Sequence, residues 1–350
     1  MVMDVSFSGH KIGQGQPCFI IAEAGVNHNG NMQLALKLVD GAVDAGVDAV
    51  KFQTFITEKM IAPAAPKAEY QKRTTGTNES QFEMVKHLEL SQQEFRLIAE
   101  YCQTKEIVFL STPFEEDSAD FLETIGVSAY KMASGELTNL PFLAHVARKG
   151  KPMIVSTGMA TLDEVDVAVR TIRSNGNPGL ILLHCTSNYP TDPKDVNLRA
   201  MHTLAETFGV PVGYSDHTDG IEIAIGAVAL GACVIEKHFT LDRNLPGPDQ
   251  QASLEVSELK RMVQSIRKVE EAFGSGVKEP ATGEIATAAV ARKSLYLKND
   301  LSEGHSLRIE DLIAMRPGTG ISPACVDQVL GRKLKQAVKG DTLLKEEHLA

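Results

Sequence analysis

Short apolar runs recur along the chain at regular intervals, each followed by a stretch with helical spacing. The runs are Phe19–Ile21, Ala49–Phe52, Ile107–Leu110, Ala129–Met132, Met153–Val155, Leu180–Leu183, Pro211–Tyr214 and Val234–Glu236. They read as parallel strands buried on both faces. Between them, Ala35, Leu38, Val39, Ala42 and Val43 share one helix face, and Leu259, Met262, Val263, Ile266 and Phe273 share another. Two helix starts carry the capping-box pattern, Ser91 with Glu94 and Thr161 with Glu164. About eight strand–helix units predict an α/β fold, a (β/α)8 TIM barrel over residues 1–275. A doubly wound sheet is the rival. It places a Gly-rich phosphate turn after its first strand, where this chain has Glu23-Ala24-Gly25-Val26-Asn27-His28-Asn29-Gly30.

Gly274, Gly276, Pro280 and Gly283, set among charged residues, predict a linker over 276–290. Residues 291–350 change texture to short strands and turns. This tail repeats itself: Glu303-Gly304-His305-Ser306-Leu307 with Glu310-Asp311 echoes Lys339-Gly340-Asp341-Thr342-Leu343 with Glu346-Glu347. About sixty residues make a marginal core, so the module is expected to lean on a partner surface.

Composition narrows the class. Hydrophobic residues are 43% and charged residues 23% of the 350, which is ordinary for a globular chain. A net charge of −10 argues against nucleic acid as a partner, while leaving room for a local basic pocket. The five cysteines (Cys18, Cys102, Cys185, Cys233, Cys325) are scattered and never spaced CxxC, so reduced thiols are expected rather than disulfides or structural zinc. Met1–His10 carries no signal-peptide pattern, and the apolar stretch Ile221–Ile235 is too short and too Gly/Ala-rich to span a bilayer. A cytoplasmic enzyme with no membrane partner is the expectation.

In a barrel, chemistry belongs just past the C-terminal ends of the strands. Those positions hold Glu23, Asn27, His28, Lys51, Gln53, Thr54, Ser111, Thr112, Lys131, Ser134, Glu136, Ser156, Thr157, His184, Thr186, Ser187, Asn188, Tyr189, Ser215, Asp216, His217, Lys237 and His238. Every predicted strand thus delivers polar groups to one end. His217 and His238, at matching ends of successive strands, offer two imidazoles to one divalent ion, with oxygens completing its shell. The alternative is that each merely caps its strand. Lys131 with Thr112, Ser134, Ser156 and Ser215 offers one ammonium and several hydroxyls to a phosphate, although Ser and Thr at strand ends often serve only the local backbone. Lys51, Lys131 and Lys237 also leave a Schiff-base aldolase open. Glu23, Glu136 and Asp249 are candidates for proton traffic or sugar hydroxyls.

The stretches IAEAGVNHNG (21–30), VKFQTF (50–55), FLSTPFEEDS (109–118), YKMASGELTNLP (130–141), STGMAT (156–161), HCTSNYPT (184–191), GYSDHT (213–218), EKHFTLD (236–242) and PGPD (246–249) resemble the bacterial sialic acid synthase family. ARKS (291–294) and MRPGTGISP (315–323) resemble the antifreeze-like (SAF) domain that follows the barrel in those enzymes. The resemblance covers nearly the whole chain in order. It implies a TIM barrel with a small C-terminal SAF domain of β-clip type, in a domain-swapped homodimer. It implies His217 and His238 as ligands of a divalent metal, Mn2+ or Mg2+. It implies Lys131, Thr112, Ser134, Ser156 and Ser215 around phosphoenolpyruvate. Glu23, Lys51, Gln53, Tyr189, Glu136 and Asp249 would line the sugar and reaction centre, with Arg316 reaching the sugar's N-acyl group in the neighbouring subunit.

The implied reaction condenses phosphoenolpyruvate with an N-acylmannosamine-type sugar, with N-acetylneuraminate as the first expectation. N,N'-diacetyllegionaminate, from 2,4-diacetamido-2,4,6-trideoxymannose, is the alternative, because both synthases share these motifs. Two departures bear on the sugar. Some relatives carry Asn directly after HCT, where Ser187 stands and the Asn is shifted to Asn188, counted here with the substrate-binding set; Gln250 follows PGPD where many carry His. Two further readings, a synthase for a phosphorylated 3-deoxy sugar acid and a non-enzymatic carbohydrate-binding protein, are weakened respectively by the lack of a second Arg/Lys cluster and by Lys131, His217 and His238.

Overall fold

A strand whose two faces are both buried must place apolar side chains on each, and eight strands here do so. In the computed structural model, which describes residues 4–75, 79–176 and 179–350, they are β1 (Phe19–Gly25), β2 (Ala49–Thr54), β3 (Val108–Pro113), β4 (Tyr130–Met132), β5 (Met153–Ser156), β6 (Leu180–Cys185), β7 (Val212–Asp216) and β8 (Val234–Thr240). Parallel pairing runs through them in the order β3-β2-β1-β8-β7-β6-β5-β4, and β3 and β4, at its two ends, pack side by side. This near-closed ring is the (β/α)8 barrel expected from the apolar rhythm. Helices α1 (Met32–Ala45), α2 (Gln92–Thr104), α3 (Glu116–Thr124), α4 (Leu140–Ala147), α5 (Leu162–Ser174), α6 (Ala200–Phe208), α7 (Glu222–Ala229) and α8 (Val256–Ala272) follow the strands in turn.

Ser91 caps α2 and Thr161 caps α5, each through a reciprocal bond with the glutamate three residues on. Between β2 and α2 the described residues form three short helices, Thr57–Met60, Glu69–Thr75 and Gln81–Lys86. Several strands outrun the apolar stretches that announce them: β1 continues to Gly25, β3 to Pro113 and β8 to Thr240. Backbone pairing does not need apolar side chains, so the ladder carries polar residues to the rim.

Alternation sorts the barrel into two cores. Ile20, Ala22, Val50, Phe52, Met132, Val155, Leu182, Tyr214 and Ile235 face outward and pack with Leu38, Val39 and Ala42 of α1 and Leu259, Met262, Val263 and Ile266 of α8. Ile21, Ala49, Leu110, Ala129, Ile154, Ile181, Leu183 and Val234 face inward. Val5, Phe7 and Ile12, from a hairpin pairing Val5–Phe7 with His10–Ile12, join that interior cluster. Gly213 occupies an inward position where a Cβ would lie 2.7 Å from Val234 Cβ and 2.8 Å from Leu183 Cδ2, so no larger residue fits there. Two residues placed on helix faces by periodicity lie at their margins: Val43 is 39% exposed, and Phe273, just beyond α8, is 53% exposed.

The chain divides into units Met1–Phe273 and Gly274–Ala350. The stretch 276–290, expected as linker, contains most of a helix, Glu284–Ala291. In the second unit β9 (Ser294–Leu297) pairs antiparallel with β10 (Leu312–Met315) over a small core that includes Leu295, Leu297, Leu307, Leu312, Leu334 and Leu344. The sequence echo has a structural counterpart, since Ile309–Asp311 and Glu346–His348 each form a 3-10 turn. All five cysteines are free, and among the described residues no helix is long and apolar enough to cross a membrane.

Asp216 and Lys237 point out of the barrel, where Lys237 Nζ lies 2.7 Å from Asp216 Oδ2 and donates to Thr218 O at 2.5 Å. Both are essentially unexposed. Removing one partner leaves an uncompensated buried charge. Lys237→Met is therefore expected to destabilise the barrel by about 3–5 kcal/mol, read as a lowered urea midpoint; an unchanged midpoint contradicts this.

Candidate active site

The inward face of each strand is apolar at its start and changes character two residues on. Ile21 is followed by Glu23, Ala49 by Lys51 and Gln53, Leu110 by Thr112, and Ala129 by Lys131. Ile154 leads to Ser156, Leu183 to Cys185, Gly213 to Ser215 and His217, and Val234 to Glu236 and His238. These polar residues, with Ser134, Ser187, Tyr70 and Tyr189, line one cavity of about 440 Å3.

Its floor is a charge network. Lys51 Nζ lies 2.7 Å from Glu23 Oε2 and 3.6 Å from Glu236 Oε2, and donates to Thr112 Oγ1 at 3.0 Å. Lys131 Nζ lies 3.5 Å from Glu236 Oε1 and donates to Ser156 Oγ at 2.7 Å. Ser215 Oγ donates to the same Glu236 oxygen at 2.8 Å. Burial alone would raise the Glu236 carboxyl, but Lys131 and Lys51 outweigh it and bring it to about 2, so Glu236 stays ionised. Burial raises Glu23 against the pull of Lys51. Burial lowers Lys131.

Beside Lys131 the wall is built of small hydroxyls. Gly158 N donates to Ser134 Oγ at 3.0 Å, and Ser134 Oγ lies 3.6 Å from Cys185 Sγ. A Cβ on Gly158 would lie 2.7 Å from Ser134 Oγ and closer still to Ser187 Oγ, so the bare backbone leaves this cradle open.

The two imidazoles stand together, ring centroids 5.4 Å apart, with the Tyr189 ring 4.2 Å from His217 and 5.7 Å from His238. His217 Nδ1 sits 2.9 Å from Thr186 O, a contact only a protonated Nδ1 makes, so the neutral ring keeps its lone pair on Nε2. Burial lowers the ring's pKa, but Cys185, then Thr186 and Glu236, outweigh it and raise it, so a cation at Nε2 would have to displace a proton. His238 Nδ1 is buried with no hydrogen-bond partner. Burial, then the neighbouring His217, hold the His238 ring well below its usual value and so neutral. Among the described residues no cluster of three His, Cys, Asp or Glu forms a closed ligand set. Two lone-pair imidazoles with open positions fit a cation whose other ligands are water or substrate oxygens.

Glu23, Lys51, Gln53, Thr112, Lys131, Ser134, Ser156, Tyr189, Ser215, His217 and His238 therefore share one cavity. Others do not. Glu136 is outside its lining and accepts a hydrogen bond from Asn139 at 2.8 Å. Asn188 lines a neighbouring groove between α5 and α6. Asp249 lies in an adjoining chamber with Tyr189 and His238; burial, then Glu23, push it up to about 6, and its Oδ1 has no hydrogen-bond partner. Arg316 is exposed, directly after β10 in the second unit. Gln250 is not in the cavity lining: buried, it donates to Asn27 O at 3.0 Å and accepts from Thr240 Oγ1.

The polar series read from the strand ends overcounts in a regular way. Asp216 and Lys237 fall on the outward face, as do Thr54 and Ser111, which bond each other at 2.7 Å. Asn27 donates to Phe239 O at 2.8 Å, and His28, lowered to about 4 chiefly by burial, accepts from Gly30 N at 3.1 Å. Glu236 and Cys185 went unassigned as site residues. Period two was the available signal: Glu236 shares a face with His238, and Cys185 with Leu183.

A model of the NeuB family matches residues 38–278, and one of the SAF domain matches residues 292–350. An N,N'-diacetyllegionaminic acid synthase of Legionella pneumophila is 49% identical over 341 residues, covering 96% of each chain. One from Campylobacter jejuni is 46% identical over 329 residues, 93% of this chain and 98% of that one. The crystal structure of the N-acetylneuraminic acid (sialic acid) synthetase of Leptospira borgpetersenii, in complex with citrate, superposes with a TM-score of 0.72 at 38% identity, over 82% of this chain and 95% of that one. A family match across most of the barrel, together with near-full-length relatives at this identity, means that the chain belongs to the NeuB family and carries a SAF domain at its C-terminus.

Proposed function

We propose that the chain condenses phosphoenolpyruvate with 2,4-diacetamido-2,4,6-trideoxymannose, giving N,N'-diacetyllegionaminic acid and phosphate. The observation that carries a phosphoenolpyruvate-dependent synthase is the cavity itself, where a buried lysine bonded to Ser156 shares the lining with Ser134, Ser215 and two imidazoles. For the sugar, the relatives at 49% and 46% identity are diacetyllegionaminic acid synthases, while the sialic acid synthetase stands at 38%. They favour the alternative sugar over N-acetylmannosamine, the first expectation from the motifs.

In this reading Lys131 and the hydroxyls of Ser134, Ser156 and Ser215 hold the phosphate through charge-assisted bonds. Lys51 and Thr112 meet the carboxylate. His217 and His238 would hold a divalent cation, which supplies Lewis-acid polarisation of the sugar's aldehyde oxygen, an effect of several kcal/mol. Phosphoenolpyruvate C3 bonds to the aldehyde carbon, and the aldehyde oxygen takes a proton to become a hydroxyl. The C2–C3 π pair makes that bond and leaves C2 electron-deficient. Water adds at C2 and gives one proton to Glu23. The C2–O bond to phosphate then breaks with its electron pair going to phosphate, which also takes the C2 hydroxyl proton as the keto group forms. With Glu136 outside the cavity lining and Glu236 kept ionised between two lysines, this reading gives the water's proton to Glu23, whose carboxyl burial raises. Holding both substrates in one pocket supplies up to about 7–11 kcal/mol of the barrier reduction.

Phosphate release with Mn2+ is expected to be at least about tenfold more efficient in kcat/KM with the diacetamido sugar than with N-acetylmannosamine, and to stop on chelation; the reverse preference returns the reading to a sialic acid synthase. His217→Ala and His238→Ala are expected to lose Mn2+ binding in paramagnetic resonance titrations while keeping the far-ultraviolet dichroism of the parent. Undiminished binding in both contradicts the ligand assignment. In this reading Asp249 accepts a hydrogen bond from the sugar, and accepts it more strongly when ionised. Burial, then Glu23, push its carboxyl up to about 6, so kcat/KM for the sugar is expected to rise as pH climbs through 6, with Asp249→Asn losing that limb. A limb that persists in the variant assigns it to another group.

A further inference from the structure

A second chamber, of about 290 Å3, adjoins the cavity and shares Gln53, Tyr70, Gln81, Phe114, Tyr189 and His238 with it. Lys131, Ser134, Ser156 and Ser215 line only the first. Past the shared residues the wall turns apolar, with Val26, Phe55, Met60, Met84 and Leu88. Val26, Phe55 and Leu88 are the buried centre of an apolar cluster separate from the cores inside and outside the ring. Its members come from the loops after β1, β2 and β3 and from the short helices between β2 and α2. Loops at a barrel mouth are ordinarily polar, because water reaches them. An apolar wall set beside the His238 imidazole is a binding surface for something that is itself partly apolar.

We propose that this chamber is the subsite for the far end of the acceptor sugar, C4 to C6, and that its apolar wall selects against hydroxyls there. The inference rests on the proposed function for the direction in which the sugar lies. With its aldehyde at His217 and His238, its remaining carbons run past Tyr189 into the chamber. A methyl at C6 meets side chains such as Phe55, Met84 and Leu88, none of which offers a hydrogen bond. A hydroxyl in the same place loses its water without replacement. Gln71, Gln81 and Asp249, also on the wall, leave a few polar groups for an acylamino substituent. One such difference in an apolar pocket discriminates on the order of 10- to 100-fold in kcat/KM.

The test is the ratio of kcat/KM for the diacetamido-trideoxy sugar to that for N-acetylmannosamine, measured with the parent and with Met84→Gln, which keeps the length of the side chain and ends it in an amide. The ratio is expected to fall about tenfold in the variant, with KM for phosphoenolpyruvate unchanged. Phe55→Tyr, which adds a single hydroxyl to the wall, carries the same measurement if Met84→Gln does not fold. A ratio that stays constant in a folded variant, both sugars losing efficiency together, overturns the subsite. The parent's own ratio decides the proposed function, and the change in that ratio decides the subsite, so the two fail separately.

Discussion

Two lysine ammonium groups share one carboxylate at the floor of the cavity, and the rest of the site is arranged around that bridge. Lys51 and Lys131 approach opposite oxygens of Glu236, at 3.6 and 3.5 Å. Neither lysine lies so deep in a barrel without a partner, since an unpaired buried charge costs several kcal/mol. Glu236 is held ionised by the same two neighbours. The bridge thus keeps two cations buried and aligned, with Glu23 and the hydroxyls of Thr112 and Ser156 completing their shells and Ser215 donating to the shared carboxylate. A doubly charged substrate entering such a site meets ammonium groups already oriented, with little reorganisation left to make.

The ring divides the work along its axis. Toward the strand starts its interior is filled by side chains such as Ile21, Leu110, Ile154 and Leu183, together with Phe7 and Ile12 from the N-terminal hairpin. Toward the strand ends the same inward positions carry ions and hydroxyls. The outward face carries its own buried pair, Asp216 with Lys237. Neighbouring residues in one tripeptide therefore have unrelated tasks: Glu236 and His238 serve the cavity, and Lys237 holds the wall.

Much of this was legible before any coordinates. Eight apolar runs at regular spacing can close on one another in few ways, and each overlaps a strand of the ring. The capping boxes at Ser91 and Thr161 are local, depending on residues three apart, and they form as written. The cluster of Lys131, Ser134, Ser156, Ser215, His217 and His238 was readable because strand ends in a barrel converge on one mouth. Glu136 was read the same way, yet its side chain turns to Asn139, since a residue past the strand end follows its loop rather than the pleat. Glu236 was missed by treating the rim as a list of polar residues. Applying period two to β8 separates Glu236 and His238 from Lys237.

The amino-acid sequence by itself determined the eight barrel strands, two of the helix starts and the family, because these rest on short-range spacing and on ordered motifs. Only the tertiary structure decided which polar groups share a cavity and which carboxylate sits between the lysines. It alone decided that loops after three strands and the segment between β2 and α2 raise an apolar wall beside His238. Those facts depend on contacts between residues as far apart as Lys51 and Glu236. Nothing in the local pattern encodes such distances; they exist only once the ring closes and brings the inward faces of its strands to one axis.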